Sequence, residues 1–376
     1  MKSMRDKIVV IVFCLLAGTL LEAAWTSKRL TVNADDSRCP AVAVSGANVY
    51  VVWHDSTAGN PEIYFRRSTD GGVTWQSAMR LTNNAGESGY ADIAVSGANV
   101  YVVWMDKTPG NIEIYFRRST DGGVTWQNAR RLTNTVGDSV TPVVTVRNSK
   151  VYVAWSDDTP GNEEIYFRRS LDGGATWKTA KRLTNNAGDS TAPALAVSGS
   201  SVYAAWSDNT PGNSALYFKR SLDGGWHWQP ARRLGSGGDN ITCATMVARG
   251  ATVYLAACSD SEGNGEIYFA SSADNGTNWG EALRITYTAG NSTGTKLAAN
   301  DAHICLCWMD DTPGDYEVYF KRSIDGGSTW QVTQRLTYTD GHSILPDMAV
   351  SGAKAYVVYS DGTPGNDDIY IKYQTF

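Results

Sequence analysis

The chain has 376 residues, with 33 Lys and Arg against 38 Asp and Glu, a net charge of −5. This mild acidity, with no basic run, gives neither nucleic acid nor an anionic membrane an electrostatic reason to be its partner. The four histidines, His54, His227, His303 and His342, are scattered without metal-ligand spacing, so no metal centre is expected.

Residues 1–24 are a different material. MKSMRDK carries Lys2, Arg5 and Lys7; an uncharged apolar run of 14 follows, and then the small residues Ala23 and Ala24. That order is a secretory signal, and the run is too short to span a bilayer. Cleavage near Ala24 is expected, giving a soluble product that is secreted or held in the periplasm or cell envelope. Residues 25–376 then form one domain, and 352 residues at a step of 51 suggest seven units.

The step is set by an eight-residue motif. STDGGVTW at 68–75 recurs letter for letter at 119–126, with weaker copies at 170–177, 221–228, 272–279 and 323–330. A fixed period of this length signals a repeat architecture. In chain order, SKRLT (27–31) comes first and matches AMRLT (78–82) at the same step. The first unit spans 41–82, and the others start near 92, 143, 194, 244, 295 and 346.

Within one unit, IAVS is a short strand and VYVVW a β-branched and aromatic strand buried on both faces. Pro-Gly-Asn then turns the chain into EIYFRRS, and Asp-Gly-Gly turns it again toward a last short strand ending RRLT. Four antiparallel strands per unit describe an all-β, seven-bladed β-propeller. The last unit stops after three strands, so SKRLT is expected to supply its fourth and close the ring.

Each motif has a turn logic. The carboxylates of Asp70, Asp121, Asp172, Asp223, Asp274 and Asp325 can accept amides of their own turn, while the glycines supply positive φ. Trp75, Trp126, Trp177, Trp228, Trp279 and Trp330 then enter the next strand as plugs between blades. Five more of the 13 tryptophans hold one site in strand two, and only Trp25 and Trp226 lie outside the two series. Trp25 is one place past register, as a shifted relic would be.

Five cysteines follow residue 24: Cys39, Cys243, Cys258, Cys305 and Cys307. An odd, clustered count reads as small buried side chains; a bond to Cys243 is open but is not set by spacing. Unit five is the outlier. Its loop reads as shortened, without proline or the strand-three arginines, and Cys258 is placed where the others have tryptophan.

The loops into strand one and between strands two and three share one face around the channel. They repeat Asp106, Asn111, Glu113, Asp138, Asp157, Asn162, Glu164, Asp189 and Asp208. Such a polar rim suits sugar hydroxyls, peptide amides or a hydrated calcium ion. Equally, Asp106 or Asp157 before a Pro-Gly turn can do no more than satisfy loop amides. No other cofactor is implied.

The motif S-x-D-x-G-x-T-W resembles the Asp-box, or bacterial neuraminidase repeat, of the sialidase-like propeller superfamily. The resemblance covers essentially all of the chain after residue 24 and implies that the box is frame, on the face away from substrate. It also implies, as one alternative, a sialidase-type glycoside hydrolase. Those enzymes clamp a carboxylate with three arginines and use a Tyr/Glu nucleophile pair and an Asp acid/base. Their first arginine sits in Arg-Ile-Pro; here SRCPAVAV offers Arg38 with Cys39 before Pro40. The paired arginines at 66–67, 117–118 and 168–169 follow the repeat and are expected to be scaffold. Seven like blades favour a non-catalytic recognition or scaffold propeller, monomeric, with a glycan or protein ligand on the channel face. A docking factor for a protein partner is not separable from it at this level.

Overall fold

The computed structural model describes residues 24–235 and 240–376. The expected secretory signal therefore lies outside the described residues, except for Ala24. Seven four-stranded antiparallel sheets are arranged in a ring, and the described residues contain no helix long and apolar enough to cross a membrane. We number the strands of each blade one to four from the channel outward.

Blade two shows the pattern. Strand one (Ser88–Ser96) pairs with strand two (Asn99–Asp106), which pairs with strand three (Glu113–Ser119) and then with Arg130–Arg131. Strand two is buried on both faces because each face packs on a neighbouring blade. The fourth strand has only two paired residues, shorter than the sequence suggests. Blade seven is completed by Thr26–Arg29, which pair with Tyr373 to Tyr370 of Asp368–Thr375. The expected closure is therefore present, starting one residue earlier.

The box is frame. Asp121 accepts the amides of Val124 and Thr125 and the Thr125 hydroxyl, while Ser119 Oγ accepts the amide of Gly123. Gly123, at φ 79°, lies under the Phe65 ring of the previous blade, where a Cβ would collide. Trp126 stands edge-on to the same Phe65 at 5.0 Å. The box tryptophans do not enter strand four as expected; they stay in the irregular segment before it and seal the seam between blades. Trp25 takes this place on Phe320 at 4.9 Å, so the shifted relic does the same work one residue out of register.

The repeat arginines are struts. Arg117 Nη1 donates to the Leu81 carbonyl and Arg118 Nη1 to the Gly173 carbonyl, tying each blade to both neighbours. Blade five corrects two expectations. Its strand-two loop keeps the common length, and the residue paired with Tyr268 as Trp53 is with Tyr64 is Ala257, not Cys258. Cys258 points to the other face and is disulfide-bonded to Cys243 across the strand pair. Cys305 and Cys307 are free and buried.

Candidate functional site at the channel face

In an antiparallel blade the connection into strand one and the turn between strands two and three fall at the same end. Both sets of loops therefore ring the channel mouth, where the nine repeated polar residues were expected to meet a ligand. The structure brings them to that face but turns their polar atoms onto the loops themselves.

Asp106 is 1% exposed. Its carboxylate accepts Asn84 Nδ2, Ser88 Oγ at 3.1 Å, Trp104 Nε1 at 3.1 Å and the Thr108 amide at 2.9 Å. Asp157 and Asp208 repeat the arrangement with Ser139, Trp155 and Thr159, and with Asn186, Ser190, Trp206 and Thr210. Burial pushes the Asp208 carboxyl up, but these donors together outweigh it and hold it below the usual range.

Glu113 and Glu164 are fully buried and take Arg131 and Arg182 as partners, the latter at 2.8 Å. Asn111 and Asn162 bond to the Gly137 and Gly188 carbonyls of the adjacent loop. Asp138 accepts the Ile112 amide at 2.7 Å, and Asp189 the Glu163 amide at 3.2 Å. All nine thus lock loop to loop. Exposed beyond them are uncharged Thr-Pro-Gly tips, at 108–110, 159–161, 210–212, 312–314 and 363–365.

The asymmetry that seven like blades should lack is present where blades seven, one and two meet. Asp367, 1% exposed, binds Arg38 Nε with one oxygen and His342 Nε2 with the other at 2.8 Å. Arg38 Nη2 also lies 3.1 Å from Asp36. Burial lowers the guanidinium's proton affinity, but the Asp367 hydrogen bond and the two negative charges more than restore it. Nearby, His54 is pushed down to about 4 by burial and by the Arg38 charge. Tyr90 adopts φ 51° and is more than half exposed, its ring 5.8 Å from His54. Cys39, Thr141, Ala192 and Leu345 share that left-handed bulge conformation.

Further along the channel, strand one carries one register column: Ala41, Asp92, Val143, Ala194, Thr245, Lys296 and Asp347. Asp347 accepts the Val42 amide at 2.8 Å and Asp92 the Val144 amide at 2.7 Å, capping inner-strand edges of neighbouring blades. Lys296 Nζ stands 3.8 Å from Asp347 Oδ1 with half its side chain open to the channel. Asp92 is ringed by protein although the channel reaches part of it, and burial pushes its carboxyl up to about 6. The sequence reading missed this set; its signal is charge in three of seven blades at one column. Among the described residues no His, Cys, Asp or Glu cluster is arranged to hold a metal ion.

A family profile described as BNR repeat-like domain matches residues 48–254 and 111–357. No curated protein matches the chain in sequence. Among solved structures, the chain is similar to the Hadza microbial sialidase Hz136, at 15% identity and a TM-score of 0.54, over 91% of this chain and 66% of that one. It is also similar to a YCF48 structure bound to D1 peptide, at 16% identity and a TM-score of 0.56, over 93% and 94%. The polysaccharide lyase Uly1 matches at 8% identity and a TM-score of 0.63, over 92% and 91%. This chain spans just under two thirds of the sialidase's length but nearly all of the other two. At such identities the shared property is the fold.

Proposed function

The chain belongs to the BNR repeat-like domain family, and from that premise we propose that it is an exported, non-catalytic recognition propeller that binds a glycan or protein ligand on its channel face. One observation carries this: the repeated carboxylates that could have acted as acids or bases are tied up in loop-to-loop bonds, Asp106, Glu113, Asp157, Glu164 and Asp208 of them buried, leaving similar uncharged Thr-Pro-Gly tips in five of the seven blades. Catalysis needs unlike groups set around one reacting atom. A ring of like tips suits several weak contacts whose avidity multiplies. Support also comes from the likeness, over nearly the full length of both chains, to a propeller solved with a bound peptide. The test is binding to glycan and peptide arrays, with Pro109, Pro160 and Pro211 changed to alanine one at a time and then together. Stepwise loss is expected; failure to bind any cell-surface polymer or peptide overturns the proposal.

A sialidase-type hydrolase is the second reading, favoured by Arg38 beside Pro40 and by the asymmetric channel charges. Against it, the Arg38 guanidinium is already held by Asp367 and Asp36. Release of a fluorogenic sialoside, abolished by Arg38→Ala, would establish it in place of the first.

A further inference from the structure

Six seams between blades carry an aromatic ring at one place. Trp53, Trp104, Trp155, Trp206, Trp308 and Tyr359 each stack on the strand-three tyrosine of their own blade. Ala257 stands there in blade five, and Tyr268 has no ring opposite it. Three further substitutions meet at this seam. Ala215 replaces the strand-three Glu, Ser259 the strand-two Asp, and Ala270 the strand-three Arg or Lys that braces the preceding blade.

Arg233 is the consequence. Its register equivalents Arg29, Arg80, Arg131, Arg182, Arg284 and Arg335 each hold a buried Asp or Glu. Across from Arg233 the carboxylate is gone, its Nε is buried without an acceptor, and no described carboxylate pairs with it. Between blades four and five opens a cleft of about 660 Å³, with Leu234, Leu255, Ala257 and Tyr268 among its apolar walls and Arg233 within it. That is the size of a small-ligand site; of its other charged lining residues, Arg232 donates to the Thr277 carbonyl, Glu262 faces Arg284 at 3.6 Å and Glu281 is exposed, which leaves Arg233 as the cation free to meet a ligand.

The geometry points to a binding site between blades four and five for a small aromatic carboxylate, its ring against Tyr268 over Ala257 and its carboxylate on Arg233. Such a ligand supplies the two groups this seam lacks: the ring and the arginine's counter-charge, the latter in the bidentate geometry that guanidinium favours. Three of these shortenings, Ala257, Ser259 and Ala270, line the one cleft, and the fourth, Ala215, removes the carboxylate opposite Arg233. The cleft reaches the blade-five loop at Ser261 and Glu262 but none of Pro109, Pro160 and Pro211 lines it, so its test reads separately from that of the recognition role.

The test is isothermal titration with indole-3-acetate, indole and acetate as probes. Saturable one-to-one binding of indole-3-acetate is expected, with indole at least roughly tenfold weaker and acetate without measurable heat. Arg233→Ala should weaken indole-3-acetate by at least about tenfold. Ala257→Trp, which restores the ring of the other seams, should abolish binding; Arg233→Ala, at a residue with no carboxylate partner among the described residues, serves if that variant does not fold. No saturable binding below about 10 mM, or binding that Arg233→Ala leaves unchanged, overturns the inference.

Discussion

The amide of Leu30 donates to the carbonyl of Ile369 over 2.7 Å, and the Ile369 amide donates to Thr31 Oγ1 at 2.8 Å. A segment near the start of the chain thereby becomes the outer strand of a sheet made by its end. Leu30 is 3% exposed and Leu81, its counterpart in blade one, 4%.

Leu30→Ala and Leu81→Ala should therefore cost a similar amount, about 3 kcal/mol each in urea titrations. A chain beginning at Val32 should fare differently. It lacks the whole closing strand and exposes the edge of blade seven, so it should associate in analytical ultracentrifugation and lose a single cooperative transition. A monomeric, cooperatively folded product would show that closure is dispensable.

Acid should loosen the boxes. Bonds from the Thr329 side chain and amide hold Asp325 down to about 2, and the Asn278 amide does the same for Asp274. Their folded pKa values lie below the unfolded value near 3.9, so the stabilisation is present above about pH 4 and lost as pH falls toward 2. Asp325→Asn should flatten the pH dependence of the urea midpoint in that window. An unchanged slope would remove the box from the acid response.

His54 acts in a higher window. Burial and Arg38 keep it neutral down to about pH 4, against 6.5 in the unfolded chain. Its contribution is complete above about pH 6.5 and is lost as pH falls toward 4. Blades two and six have Met105 and Met309 at this position. His54→Met should abolish the loss between pH 6.5 and 4, worth on the order of 1–3 kcal/mol, as read from thermal midpoints.

Two arginines in one register should differ sharply. Arg131→Ala leaves the fully buried Glu113 uncompensated and should cost about 3 kcal/mol. Arg233→Ala strands no carboxylate and should cost well under about 1 kcal/mol. Equal losses would contradict the account of the blade-four seam.

The Cys243–Cys258 bond closes a loop with a sequence separation of 15. Non-reduced peptide mapping should recover that pair linked, and Cys258→Ser should lower stability by about 3 kcal/mol. Free thiols at both positions would refute the bond.

The box was legible because its needs are local: Asp121, Gly123 and Thr125 meet within one turn, so spacing alone carries the geometry. Ring closure was legible too, since SKRLT keeps the common register. Cys258 was misplaced by one residue, and in a strand such a slip exchanges faces: Ala257 faces blade four, Cys258 blade six. Asp92, Lys296 and Asp347 escaped notice because they are far apart along the chain and meet only at the channel wall.

Period and alternation determined by themselves the blade, its strands, the number of copies and the joining of the ends. These follow from each segment's own φ preferences and apolar pattern, which act over a few residues. Which carboxylates face water, which arginine lacks its partner and which seam opens were decided by the tertiary structure alone. Asp106 takes donors from residues 84 and 88 across its own strand pair and Asp92 from residue 144 of the next blade, and only strand pairing and blade-to-blade packing bring those groups within bonding distance.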